Sequence, residues 1–216
     1  MKISLCDTFV FLDDVEINKE GYTRRTKIRR NIDVDDVRWL TVPLDKYSHQ
    51  ANINDLNIEE IDWQKSHLTV LRNIYRNTPF FEETIAFVEE LFGATADISK
   101  LAELNIFLID KLCKTLQLET RFLKSSDLDI KGKADSYTYM ITDSVDADTY
   151  LRGKGEAQYS RSTLWADGNI EVRDLDSMQI LQKKSELSGH LPGTSILDAL
   201  FILGLKRTTE CLHSFQ

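Results

Sequence analysis

The sequence predicts an α/β fold built on an open, mostly parallel sheet, with a helical segment at about residues 62–117. Two observations carry this. Short aromatic and β-branched runs alternate with helical patterns along most of the 216 residues, an order that favours a parallel sheet. Between about 62 and 117 the apolar spacing stays helical without a strand-like break. A chain of this length buries about 70% of the surface its unfolded form exposes. It therefore reads as one domain, 1–216, that forms a core without disulfides or metal.

Thr8 to Leu12, TFVFL, is a continuous run typical of a buried strand, and Asp13 and Asp14 stand at its C-terminal end. Tyr22 to Arg30, YTRRTKIRR, holds five basic residues in nine and reads as a polar loop before Asp33, Asp35 and Asp36. Arg38 to Leu44, RWLTVPL, reads as a second strand that Pro43 confines to an edge or exit. Asn52 to Ile58 alternates weakly, as a short strand would. Helices follow at Asp62–Tyr75, at Phe80–Phe92 after a Thr-Pro start and before Gly93, and at about Ile98–Leu116. The last has a broad apolar face that predicts deep burial. Thr120–Leu123, Asp148–Leu151 and Ile170–Leu175 read as strands, and Asp135–Val145, Ser160–Asp167 and Thr194–Gly204 as helices. Gln179–Gly193 reads as a loop, Ser195 with Asp198 resembles a capping box, and the C-terminus around His213 is expected to fray.

Composition narrows the function classes. Apolar residues make up 42% and charged residues 29%, with a net charge of −8, so a chain that coats nucleic acid is not expected. Cys6, Cys113 and Cys211 lie far apart with no CxxC or Cys/His cluster, which leaves no metal site and suits reduced thiols. No apolar run reaches the roughly 20 residues that span a bilayer, and the N-terminus has no signal-peptide pattern. The expected location is the cytoplasm.

Several residues could carry chemistry. Asp13 and Asp14 end a strand, where ligands collect in open α/β sheets, although aspartate is also a common turn residue. Arg24, Arg25 and Lys27 are either a solvated stretch neutralised by the following acids or an anion site, since guanidinium matches phosphate and carboxylate geometry. Ser125 and Ser126 follow a strand and can bind phosphate or a sugar hydroxyl, or cap the next element. Gly153, Lys154 and Gly155 lie in a turn whose amides can approach an anion, yet the spacing fits neither a Walker A loop nor a dinucleotide fingerprint. His67 stands four residues after Trp63, as an aromatic packing partner or as a general base. Glu103 and Asn105 interrupt the third helix. Exposure explains one of them, and burial of both would mark a hydrogen-bonded network.

Taken together, these segments resemble the WbqC-like family of bacterial proteins. The resemblance rests on FVFLDDV at Phe9–Val15, the basic stretch at Arg24, Arg25 and Lys27, WLTVPL at Trp39–Leu44, and Trp63 with His67 and Leu68. It continues in NTPFF at Asn77–Phe81, LAELNIFLI at Leu101–Ile109, SSDL at Ser125–Leu128, ADTYLRGKG at Ala147–Gly155 and SILDALF at Ser195–Phe201, with Gly204. It departs where the family's SGPGG-like turn reads Arg152–Glu156, and where residues 178–192 lack an expected tyrosine. Family members usually open with a segment like IHQPNYLPWLGFF, and the sequence here starts inside that point.

The resemblance implies a Rossmann-like or nucleotidyltransferase-like α/β sheet and a place in surface-polysaccharide (O-antigen) biosynthesis. It implies acyl or aminoacyl (glycyl-type) transfer, or ligation, onto the amine of a nucleotide-linked amino sugar. The acyl group would be activated by ATP with Mg²⁺ or come on another carrier. Arg24, Arg25, Lys27 and Lys154 would hold phosphates or a carboxylate, Asp13 or Asp14 would orient the amine or a metal-bound phosphate, and His67 would be the base. Arg24→Ala or Arg25→Ala would then abolish nucleotide-sugar binding with little loss of stability. The alternative is a non-catalytic nucleotide-sugar-binding or accessory protein of a polysaccharide enzyme complex.

Overall fold

The computed structural model describes residues 1–153, 164–175 and 189–215. The elements are β1 (Thr8–Phe11), β2 (Arg25–Arg29), β3 (Val37–Thr41), α1 (Trp63–Tyr75), α2 (Phe81–Gly93), α3 (Leu101–Thr115), β4 (Arg121–Lys124), α4 (Ala134–Ser144), β5 (Thr149–Gly153), α5 (Leu164–Asp167), β6 (Glu171–Leu175) and α6 (Ile196–His213). The fold is mixed α/β, with the helical segment where the sequence puts it. Among the described residues the strands pair in twos: β1 with β4 and β5 with β6 in parallel, β2 with β3 antiparallel. The expected single open sheet is therefore present only as two parallel fragments.

β1 and β4 are held by aromatic packing as well as by their ladder. Phe9 lies directly opposite Phe122, and the ring centroids of Phe11 and Phe122 are 5.3 Å apart. Cross-strand aromatic pairs of this kind contribute roughly 0.2–1 kcal/mol each. The basic stretch departs from the expected loop, because its second half is strand β2. Arg-Thr-Lys-Ile-Arg has period two, which puts Ile28, fully buried, on the core face. Lys27 pairs with Trp39 on the opposite face. Asn52–Ile58 also departs. It forms only a 3₁₀ turn at Ile53–Asp55, flanked by isolated bridges at Asn52 and Ile58.

The main core lies where α1, α2 and α6 meet the β2–β3 hairpin, around Ile28, Leu71, Tyr75, Val88, Leu104 and Phe201. Tyr75 stacks on Phe201 with ring centroids 4.3 Å apart. Asp62 caps α1 by accepting a hydrogen bond from the Lys65 amide at 3.0 Å, which satisfies one of the donors a helix start leaves open. α3 is less buried than its apolar face predicts. Leu101 and Leu104 enter the core, but Ile106 and Ile109 line a cavity of about 1430 Å³. That cavity separates β1 from β5. α6 continues well past the expected end at Gly204, which has φ 75° and ψ 170° and kinks it there. His213 is the last residue of that helix rather than a frayed end, with Nε2 3.2 Å from the Leu116 carbonyl.

Candidate functional site

Parallel pairing of β1 with β4 brings their C-terminal ends side by side, so Asp13 and Asp14 meet Ser125 and Ser126. The turn after β4 is a 3₁₀ helix at Ser125–Asp127, and it aims the Ser126 amide and both serine hydroxyls back at the acids. Asp13 is buried. Its Oδ1 accepts from the Ser126 amide at 3.0 Å and lies 3.2 Å from Ser125 Oγ, and its Oδ2 accepts from Ser126 Oγ at 2.7 Å. Asp14 is half-buried. Its Oδ1 accepts from Ser125 Oγ, and its Oδ2 accepts from the Tyr137 hydroxyl on α4 at 2.6 Å. Burial, and then the hydrogen bond to Asp14, push the Tyr137 phenol above its ordinary pKa of 10.0, which keeps it a donor.

The two acids thus have different capacities. An ionised carboxylate offers about four lone-pair positions. Ser125 has one hydroxyl proton, and its shorter contact is with Asp14; Asp13, buried, takes two donors from Ser126, whereas Asp14, half-buried, takes one from Ser125 and one from Tyr137. One carboxylate orders the turn, and the other is left to accept from a cation or an amine. Tyr137 was not legible as a site residue, because its only sequence signal is a tyrosine on an amphipathic helix. The first turn of α4 brings it to Asp14.

The remaining candidates lie elsewhere. Arg25 is committed to the hairpin. Its guanidinium stacks on Trp39 at 4.1 Å, and it donates from Nε to the Gly21 carbonyl at 3.1 Å and from Nη2 to the Glu20 carbonyl at 2.7 Å. Lys27 places Nζ 5.3 Å from the Trp39 ring and 5.9 Å from Tyr22. Arg24 precedes the strand, and its Nε is buried with no acceptor among the described residues. Asn105 donates to the Thr23 carbonyl at 2.7 Å and ties α3 to this hairpin, whereas Glu103 is exposed.

His67 is not brought to the acids. Its ring packs against Trp63, with centroids 5.1 Å apart, and beside Phe92, and its Nε2 lies 3.0 Å from the Thr41 carbonyl. Burial lowers its pKa below the ordinary 6.5, so the neutral ring donates to that carbonyl. This is the packing role, set by the four-residue spacing from Trp63. Gly153 ends β5 opposite Leu175, and Lys154 and Gly155 lie outside the described residues. Among the described residues no group of three His, Cys, Asp or Glu side chains is placed to hold a metal ion, and no helix is long and apolar enough to cross a membrane.

A second polar cluster was masked by the capping-box reading. Asp198 does not cap α6; Ser195 Oγ accepts from the Leu197 amide at 3.3 Å instead. Asp198 is fully buried and accepts from Arg29 Nε at 2.8 Å, Tyr75 hydroxyl at 2.9 Å, His190 Nδ1 at 3.0 Å and the Leu191 amide at 3.0 Å. Burial alone would raise its pKa. The donors from His190, Leu191 and Arg29 outweigh that and lower it. Every carboxylate position is filled, so the cluster joins β2, α1, α6 and residues 189–191 rather than binding a ligand.

Helices packed on short parallel strands, with carboxylates and hydroxyls gathered where β1 and β4 end, define an α/β protein with a polar site at the carboxyl ends of its strands. The chain belongs to the WbqC-like protein family, whose model matches residues 1–210. It is 26% identical over 204 residues to the uncharacterized protein Rv1507c of Mycobacterium tuberculosis, which covers 94% of this chain and 86% of that relative. No solved structure matches.

Proposed function

We propose that the chain works in surface-polysaccharide biosynthesis, as an acyl or aminoacyl transferase or ligase that acts on the amine of a nucleotide-linked amino sugar. The observation that carries this is Asp14. It is a half-buried carboxylate at the ends of two parallel strands, oriented by Ser125 and Tyr137 and with accepting positions left over. A carboxylate so placed orients an amine by accepting its protons. It also accepts the proton that the nitrogen loses as it bonds to the acyl carbon and the bond from that carbon to its carrier or phosphate breaks, the leaving group keeping the electron pair. Lys27 of β2 and Arg24 just ahead of it are the cations assigned to phosphate or to the acyl carboxylate.

A thermal-shift series tests this. The protein is titrated with UDP- and dTDP-linked amino sugars, and with the matching sugars that carry a hydroxyl in place of the amine. The amino forms are expected to bind more tightly by about tenfold or more, the worth of a hydrogen bond to a charged group. Asp14→Asn is expected to erase the difference. Equal affinity for both sugar types in the unaltered protein sinks the proposal.

A specific observation favours a second reading, a nucleotide-sugar-binding or accessory protein without catalysis. His67, the residue assigned as base, is sequestered between Trp63 and Phe92. Amino-sugar binding with no turnover, in the presence of ATP, Mg²⁺ and free amino acids, supports that reading.

A further inference from the structure

Tyr22 is the most exposed large apolar side chain among the described residues, at 59%. Its backbone is nevertheless pinned. Arg25 donates through its side chain to the Glu20 carbonyl at 2.7 Å and the Gly21 carbonyl at 3.1 Å, and through its amide to the Tyr22 carbonyl at 3.3 Å. The Asn105 side chain holds the next carbonyl, that of Thr23, at 2.7 Å. Consecutive carbonyls from Glu20 to Thr23 are thus fixed around one open aromatic ring, which meets Trp39 in a T-shaped contact with centroids 5.1 Å apart. Ordering a loop costs conformational entropy, and burial of this ring does not offset it. A rigid, exposed ring suits a stacking partner, because the ordering is complete before the partner arrives.

Beside this ring stand two cations without counter-ions. Arg29 and Arg30 of the same stretch pair with Asp198 and Asp36. Arg24 and Lys27 pair with no carboxylate among the described residues, although the chain carries 35 acidic residues. Arg24 Nε is buried with its proton unmatched, and Lys27 Nζ lies 5.9 Å from the centroid of the Tyr22 ring. A buried donor left open calls for an acceptor from outside the chain, and guanidinium and ammonium both suit phosphate. Asn105 keeps its second amide proton and its Oδ1 without partners among the described residues. One donor beside one acceptor matches the edge of a nucleobase. Tyr22, Thr23 and Asn105 line the same cavity of about 1430 Å³ as Asp13. Most ligand sites hold roughly 300–1,000 Å³, so this one has the volume for a nucleotide together with its sugar.

We propose that Tyr22 is the base-stacking residue of a nucleoside-diphosphate subsite, with Arg24 and Lys27 on the phosphates and the Asn105 amide on the base edge. It rests on the nucleotide-sugar reading and extends it to the side chains that hold the nucleotide. Arg25 is then a positioning residue, since it fixes the turn that presents the ring.

Calorimetric titration of the full chain with UDP, dTDP and inorganic pyrophosphate tests the subsite. UDP and dTDP are expected to bind about tenfold more tightly than pyrophosphate, or better, as a stacked base requires. Tyr22→Ala is expected to lose about tenfold or more of the UDP and dTDP affinity and to leave pyrophosphate binding unchanged. Tyr22→Phe keeps the ring and should bind all three like the unaltered chain. Several results overturn the proposal: no binding of UDP or dTDP, equal affinity for UDP and pyrophosphate, Tyr22→Ala binding UDP like the unaltered chain, or an equal loss in Tyr22→Ala and Tyr22→Phe. These ligands carry no sugar amine, so the outcome is separate from the role of Asp14. Ring-dependent UDP binding without any preference for amino sugars supports the subsite and sinks only that role. A preference for amino sugars with ring-independent UDP binding does the reverse.

Discussion

Asp14 and Asp198 show what decides a carboxylate's role: its unfilled accepting positions rather than its place in a motif. Asp198 has none left, and removing it strands a buried guanidinium, the Tyr75 hydroxyl and the Leu191 amide. Asp198→Ala is therefore predicted to cost about 3–5 kcal/mol in a urea titration, the range for breaking a buried charge pair. Replacing both members of the pair, Arg29→Met with Asp198→Leu, should recover much of that loss. A double variant as unstable as the single one would show that the hydrogen bonds, not the uncompensated charge, carry the effect. The sequence showed the acids, the serines and the basic stretch. It did not show which acid was free, because that depends on a long-range meeting of β2, α1 and α6 across more than a hundred residues of chain. His67 was legible in both of its readings, and only the position of Phe92 on α2 selects packing.

Elements were easier to read than their pairing. The helices from α1 to α3 and the strands β1, β4 and β5 sit within a few residues of where periodicity puts them, since local pattern determines them. In the basic stretch the charges hide a period-two alternation, and Ile28 is the one apolar residue of the strand to mark the buried face. That correction changes what Arg25 does. With two donors on backbone carbonyls and its plane on Trp39, it braces the hairpin. Arg25→Lys loses the planar fork and is predicted to cost about 1–2 kcal/mol, whereas Lys27→Ala should leave the thermal midpoint nearly unchanged. Equal melting of Arg25→Lys and the unaltered chain would return Arg25 to the list of ligand contacts. At α6 the backbone of Gly204 lies in a region only glycine occupies readily, and a Cβ there would come within 2.6 Å of the Phe80 ring. Gly204→Ala is predicted to destabilise by about 1–3 kcal/mol from the backbone alone, with the ring clash added. A neutral result by calorimetry would mean that the helix can straighten and that Phe80 can move aside.

For the molecule as a whole, two buried groups predict acid sensitivity in two separate windows. Burial lowers the pKa of His67 below 6.5 in the folded chain. As pH falls through 6.5 the unfolded chain takes a proton that the folded chain refuses, so stability declines from there down to the folded pKa and is flat above. Asp198 has its folded pKa below the ordinary 3.8. There too the unfolded chain binds the proton first, so its contribution is complete above about 4 and is lost only as pH drops through the folded value. Urea midpoints measured from pH 8 to pH 3 should therefore show a plateau, a first decline beginning near 6.5, and a second beginning near 4. His67→Gln should remove the first decline and leave the second. An Asp198→Leu, Arg29→Met background should weaken the second and leave the first. A single smooth decline that neither background alters would place the acid sensitivity in the many surface carboxylates behind the −8 charge. In that case the two buried clusters would be interchangeable with apolar packing, which for Asp198 is the outcome that a fully satisfied charge pair already allows.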